Sequence, residues 1–238
     1  MLNAGKCSLT PIILTMNVGF IYKFLKELSK NNNREWFTNN REGYLKMKEN
    51  VDELATMLIS LVSEADPSAS HLTVSDVTYR LYRDTRFSTD KTPYKTHVGI
   101  FINPPRGKKS LRYGYYFHLE PGASLIAAGN LPGPTALTNA IRQEIYNNSD
   151  EYLDIIKDPE FVRYFPTVGG DPLIKAPKGF PKDWEHIDLL KPRSFGADIC
   201  VADSFYKDTK TLAERLRPMI KQMKRLNDFI NYTVDDFE

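Results

Sequence analysis

The residues that could do chemistry are concentrated between Asp76 and His118. Arg80-Leu81-Tyr82-Arg83-Asp84-Thr85-Arg86 is followed by a polar stretch, Phe87 to Tyr94, containing Asp90-Lys91-Thr92-Pro93, and then by Lys95 and His97. This segment holds nine Lys or Arg against three Asp, about +6 in a chain whose formal charge is +2. A local basic block on a near-neutral chain suits a discrete anion site; coating a polyanion would call for a basic field over the whole surface. Guanidinium grips phosphate or carboxylate through two parallel hydrogen bonds and ammonium adds a point charge, so Arg80, Arg86, Lys91 and Lys95 form the candidate anion cradle. The competing reading is plainer. Asp84 and Asp90 lie among these cations, and a loop of alternating signs is commonly a solvated, self-paired connection.

Four histidines occur, and His97 and His118 fall on expected strands. Alternation places His118 on one face with Tyr116, while Tyr115 and Phe117 point to the other. A His and a Tyr on one face can serve as acid and base, although a half-buried His bonded to a carbonyl is the simpler arrangement. Tyr94, His97, Tyr116 and His118 are therefore the candidate pocket-lining residues, with His71 and His186 read as surface groups. Aromatic Tyr113, Tyr115, Tyr116 and Phe117 beside cations also match one mode of single-strand binding, which makes a nucleic-acid module the second functional class. A third is an interaction domain whose basic loop docks an acidic partner. There is no P-loop, paired-Gly dinucleotide fingerprint, paired-Cys zinc knuckle, H-E-x-x-H helix or nucleophile elbow. No metal ligands are expected, no cofactor is assigned, and no enzyme class or oligomeric state follows.

The elements that must position these groups read as follows. Val77, Tyr79 and Leu81 alternate with Thr78, Arg80 and Tyr82, and His97–Ile102, Tyr113–Leu119 and Ser124–Gly129 are comparable runs, so all four are expected strands. Glu120-Pro121-Gly122-Ala123 is the turn of a hairpin, and short connections imply an antiparallel meander. Ile199–Ala202 adds a last strand. Apolar residues recur with helical spacing over Phe20–Leu28, Arg34–Ser63 and Phe205–Ile230, the last expected to kink at Pro218. Two shorter helices follow Gly133-Pro134 and surround Tyr152–Ile156. Thr167–Pro181, rich in Pro, Gly and Lys, reads as an ordered loop able to act as a lid. The sum is one α+β domain: an antiparallel sheet of four to six strands packed against long N- and C-terminal helices.

With 238 residues, 41% of them hydrophobic, the chain can bury a sizeable core. Residues 1–17 read as a loose tail and 18–238 as the domain; Met16 is a second candidate start, which N-terminal sequencing would settle. Cys7 and Cys200 suggest no disulfide framework, which fits a reducing, cytoplasmic compartment. No apolar run is long enough to span a membrane.

The run Arg80-Leu81-Tyr82-Arg83-Asp84-Thr85-Arg86-Phe87-Ser88, with Asp90-Lys91-Thr92-Pro93-Tyr94-Lys95, resembles the signature of a conserved-hypothetical, domain-of-unknown-function family found mainly in bacteria, with fungal members. Phe24-Leu25, Asn33-Arg34-Glu35-Trp36-Phe37, Gly114-Tyr115-Tyr116, Pro132, Ile141-Arg142 and Leu189-Leu190-Lys191 extend the likeness from about Val18 to the C-terminal helix. The resemblance implies a single-domain intracellular protein and carries over no activity, cofactor or catalytic residue. Where that family's pattern is richer in Gly and has Trp ahead of the Pro, this chain reads Ala127-Ala128-Gly129-Asn130-Leu131-Pro132. The extra methyl groups would hinder a close approach of ligand to backbone there.

Overall fold

A computed structural model describes residues 16–237. Helices α1 (Val18–Lys30), α2 (Arg34–Asn39) and α3 (Arg41–Ala65) lead, through α4 (Val74–Val77), into strands β1 (Val98–Ile102), β2 (Gly114–Leu119) and β3 (Leu125–Gly129). Helices α5 (Thr135–Asn147), α6 (Ser149–Ile156) and α7 (Pro159–Tyr164) follow, then β4 (Val168–Gly170), β5 (Ser194–Cys200), α8 (Asp203–Lys207) and α9 (Leu212–Phe237). The strands form one antiparallel sheet of order β1-β2-β3-β5-β4. This is the expected single-domain α+β architecture.

One sheet face is core. Ile100, Ile102, Tyr115, Phe117, Ile126, Ala128, Phe195 and Ala197 are all buried on it, and α3 and α9 pack on that side. Alternation along β-strands makes the opposite face a separate surface, and its composition is unusual. Register aligns Phe101, Tyr116, Ala127 and Asp198 in one row and Gly99, His118, Leu125 and Cys200 in the next. On the other side of the first row, Gly114 pairs with Gly129, beside Gly196 of β5. The floor is thin there.

Buried asparagines on α9 complete the backbone bonding of β2. Asn231 accepts from Tyr113 N at 2.7 Å and donates to Tyr113 O at 2.9 Å, and Asn227 donates to Gly114 O at 3.1 Å. A peptide group buried without a partner costs about 1–3 kcal/mol, so these amides fix how the helix docks.

Several expectations change. The long helix read over Arg34–Ser63 is broken at Asn40, which closes α2 and opens α3. Val77–Tyr82 is not a strand: Thr73 and Asp76 form a capping box that winds Val74–Val77 into a helical turn, and only single bridges, Thr78 to Ile100 and Tyr82 to Tyr94, remain beyond it. The loop expected at Thr167–Pro181 contains the edge strand β4. The C-terminal helix begins at Leu212, after the separate α8, and carries Pro218 inside it. Of the expected tail, Met16 is buried and Asn17 caps α1 by accepting from Phe20 N at 2.9 Å; residues 1–15, with Cys7, lie outside the described residues. No helix among the described residues is long and apolar enough to cross a membrane.

Candidate functional site

The signature segment is knitted to itself. Arg83 N donates to Pro93 O at 2.9 Å and Lys95 N to Leu81 O at 2.8 Å, which folds residues 81–95 into a hairpin-like excursion. Across its mouth the Arg83 guanidinium bonds Asp90 and Thr92. Asn32 clamps the segment to the helical layer, donating to Tyr94 O at 2.9 Å and accepting from Tyr94 N at 3.1 Å. Tyr94 itself is buried, its ring stacked on Phe37 at 4.0 Å. The Thr92 backbone N–H, the Arg83 guanidinium and the Thr92 hydroxyl together hold the Asp90 carboxyl down at about 2. A carboxyl depressed on folding contributes stability that is complete above its unfolded value and is lost as pH falls through its folded one. The loop is therefore expected to loosen between about pH 4 and pH 2. Carboxyl NMR titration checks this, with the Asp90 midpoint rising only part of the way toward the ordinary range in Arg83→Ala, because the Thr92 N–H and hydroxyl still hold the carboxylate.

The four candidate anion-gripping residues part company. Arg86 is turned onto Asp84 through Nε at 3.0 Å and Nη2 at 2.6 Å, and Lys91 Nζ donates to Thr85 O at 2.9 Å. Both serve the loop, where the plainer reading of alternating charges applies. Arg80 and Lys95 instead reach a hollow of about 500 Å³ on the open face of the sheet. The Thr78–Arg80 backbone is held there by Lys108, whose Nζ donates to Ser75 O at 2.8 Å and Thr78 O at 2.7 Å. Tyr79 lies between two ammonium groups, with Lys95 5.4 Å and Lys108 5.2 Å from its ring centre. Side chains 79 and 80 both line the hollow, contrary to the alternation expected of a strand.

Tyr116, Phe101 and His97 form the adjoining wall, Ala127, Gly129 and Gly196 the floor, and Gly169, Gly170, Asn130 and Leu131 the far rim, with Asp198 as its carboxylate. Tyr116 leans over Gly99, where an added Cβ would stand 2.8 Å from the phenol oxygen. Gly129 has φ +146, and a Cβ there would meet Gly196 Cα at 3.0 Å. Of the two alanines in that stretch, Ala128 is buried with its methyl on the core face, and Ala127 falls on the open face in the row of Tyr116.

Among the described residues neither Arg80 nor Lys95 forms an ion pair or side-chain hydrogen bond; burial, then the Arg80 charge, pushes the Lys95 ammonium below its usual range. Burial raises Tyr79, and burial followed by the neighbouring Tyr79 and Glu120 pushes the Tyr116 phenol up to about 12, so both are O–H donors at neutral pH. Tyr116 Oη lies 2.9 Å from His118 Nδ1, and His118 Nε2 lies 3.0 Å from Glu120 Oε2. His118, a residue expected to line the pocket, thus stands behind Tyr116. His97, which does line it, is lowered by burial and then by His118, whose ring lies 4.5 Å away.

Glu120 and Lys108 were not expected site residues, and no metal-binding set was expected. The alternation that pairs Tyr116 with His118 also places Glu120 on that face, and this was the available signal. Lys108 gave none, since it arrives through the turn after β1.

The chain is an α+β domain whose open sheet face is hollowed over a glycine-rich floor and rimmed on one side by cations. It belongs to the conserved hypothetical protein family DUF2461, whose sequence profile matches residues 21–229. Searches of curated proteins and of solved structures gave no match.

Proposed function

We propose that this domain binds a small anionic molecule in the hollow, with a phosphate or carboxylate between Arg80 and Lys95 and a flat apolar part against Tyr79, Phe101 and Tyr116. The observation that carries this reading is the convergence on one concave, partly apolar space of two cations that form no ion pair with a described residue. Like charges crowded together destabilise one another, and a bound anion relieves that repulsion while gaining charge-assisted hydrogen bonds. A floor of glycines adds a second support, because it leaves depth for a ring that longer side chains would fill. The cytoplasm, as the compartment of phosphorylated and carboxylated metabolites, is part of the same proposal.

A thermal-shift screen against nucleotides, sugar phosphates and organic acids tests it. A ligand at about 100 times its dissociation constant adds about 2.7 kcal/mol, which for a domain of this size raises the midpoint by about 5–10 °C. No shift with any anionic class would contradict the proposal. Affinity for single-stranded nucleic acid that falls steeply with salt would favour the polymer reading instead.

A further inference from the structure

We infer that His97, His118 and Glu120 form a binding site for a divalent transition-metal ion at the edge of the hollow. The site follows from strand register. Val98 pairs with Leu119 and Gly99 with His118, so His97 and Glu120 are the residues next beyond the end of the ladder, and alternation puts both on the open face with His118. Gly99, paired with His118, has no side chain, and Tyr116 leans into the space that a Cβ there would take. One donor atom from each residue lies within 4.8 Å of the other two. Ligands about 2.0–2.2 Å from one ion stand roughly 3–3.5 Å apart. The His118 Nε2 to Glu120 Oε2 edge is already 3.0 Å, and the other donors close on an ion by turning the His97 ring.

A purely structural role leaves His97 without an explanation. Its half-buried imidazole forms no hydrogen bond with a described residue, yet it lies 4.5 Å from the His118 ring. The surroundings also match a supported metal ligand. With Nε2 on the ion, His118 Nδ1–H donates to Tyr116 Oη, 2.9 Å away, and Thr96 Oγ1 donates to Glu120 Oε1 at 3.2 Å. Such outer contacts fix the tautomer and aim the donors. Two imidazoles and one carboxylate suit Zn²⁺ or Fe²⁺ better than the oxygen-seeking Mg²⁺ or Ca²⁺. Three protein donors leave a coordination position open, and His97 also lines the hollow. The inference does not rest on the anion reading, since the donor set is present whether or not Arg80 and Lys95 hold a ligand.

Calorimetric titration of the full chain, stripped with a chelator, with Zn²⁺ is the test, repeated with Co²⁺ for its visible spectrum. One equivalent is expected to bind, with imidazole-type Co²⁺ bands, and His97→Ala and His118→Gln are each expected to abolish stoichiometric binding while circular dichroism shows them folded. Tyr116→Phe, which removes only the outer contact, is expected to weaken binding by about 10-fold or more. Arg80→Ala, which removes no donor, is expected to bind Zn²⁺ as the wild type does. Absence of stoichiometric binding by the folded wild type, or equal binding by wild type and His97→Ala, would overturn the site; so would its loss in Arg80→Ala.

Discussion

Arg142→Ala is expected to lower the free energy of unfolding by about 3 kcal/mol, and with it the melting midpoint by about 6–12 °C. Arg142 is 6% exposed, and its guanidinium donates from Nε to Leu190 O at 2.7 Å, from Nη2 to Pro192 O at 2.9 Å and from Nη1 to Asn139 Oδ1 at 2.9 Å. Truncation leaves the fully buried Leu190 carbonyl without this donor, which is why the loss exceeds that of a surface hydrogen bond. Arg142→Lys keeps the charge but not the planar fork, and is expected to recover less than half of the loss. Chemical denaturation with an unchanged slope checks the magnitude. The effect should extend to ligand binding. The strap Leu190–Pro192 leads directly into β5, and Pro192 sits where a Cβ on Gly169 would be, 2.7 Å away, so Arg142 holds the β4–β5 rim of the hollow.

Arg80→Ala and Lys95→Ala are each expected to weaken anion binding by about 10–100-fold, and together to abolish the thermal shift. A hydrogen bond to a charged group contributes about 1.5–3 kcal/mol, and about 1.4 kcal/mol is tenfold in affinity. The unliganded double variant should melt close to the wild-type temperature, because truncation removes two cations that repel each other and gives up only the Lys95 contact with the Tyr79 ring. Arg86→Ala and Lys91→Ala, directed to Asp84 and the Thr85 carbonyl, should change affinity by less than about twofold.

That contrast marks how far the sequence reaches. Periodicity is a local signal, and it sufficed for the long apolar stripes of α1, α3 and α9 and for the alternation in β1, β2 and β3. It failed where a side chain reroutes the backbone: at Asn40, which splits one apolar stripe into two helices, and at Thr73–Asp76, whose mutual capping winds a turn where Val77, Tyr79 and Leu81 alternate like a strand. For the site, composition located the right segment, yet it could not sort the cations. Arg83 and Asp90 meet only because the 81–95 excursion closes, and that closure consumes Arg86 and Lys91 while leaving Arg80 and Lys95 directed at the sheet. The floor was equally illegible. Gly99, Gly129 and Gly196 come from three strands, and their common face is a property of cross-strand register that no single run of residues displays. Glu120 was read as a turn residue, and its carboxylate acquires meaning only beside His118 and His97, the latter immediately before β1.

The most direct measurement is a titration of ¹⁵N-labelled protein with the compound that stabilises it most, following backbone amides and arginine Nε–H groups. Occupancy of the hollow requires the Arg80 Nε–H and the amides of Gly99, Gly129 and Gly196 to shift together along one saturating curve while Arg86 and Lys91 stay in place. Shifts confined to Arg86, Lys91 and their loop, with the glycine floor unmoved at saturation, would contradict it.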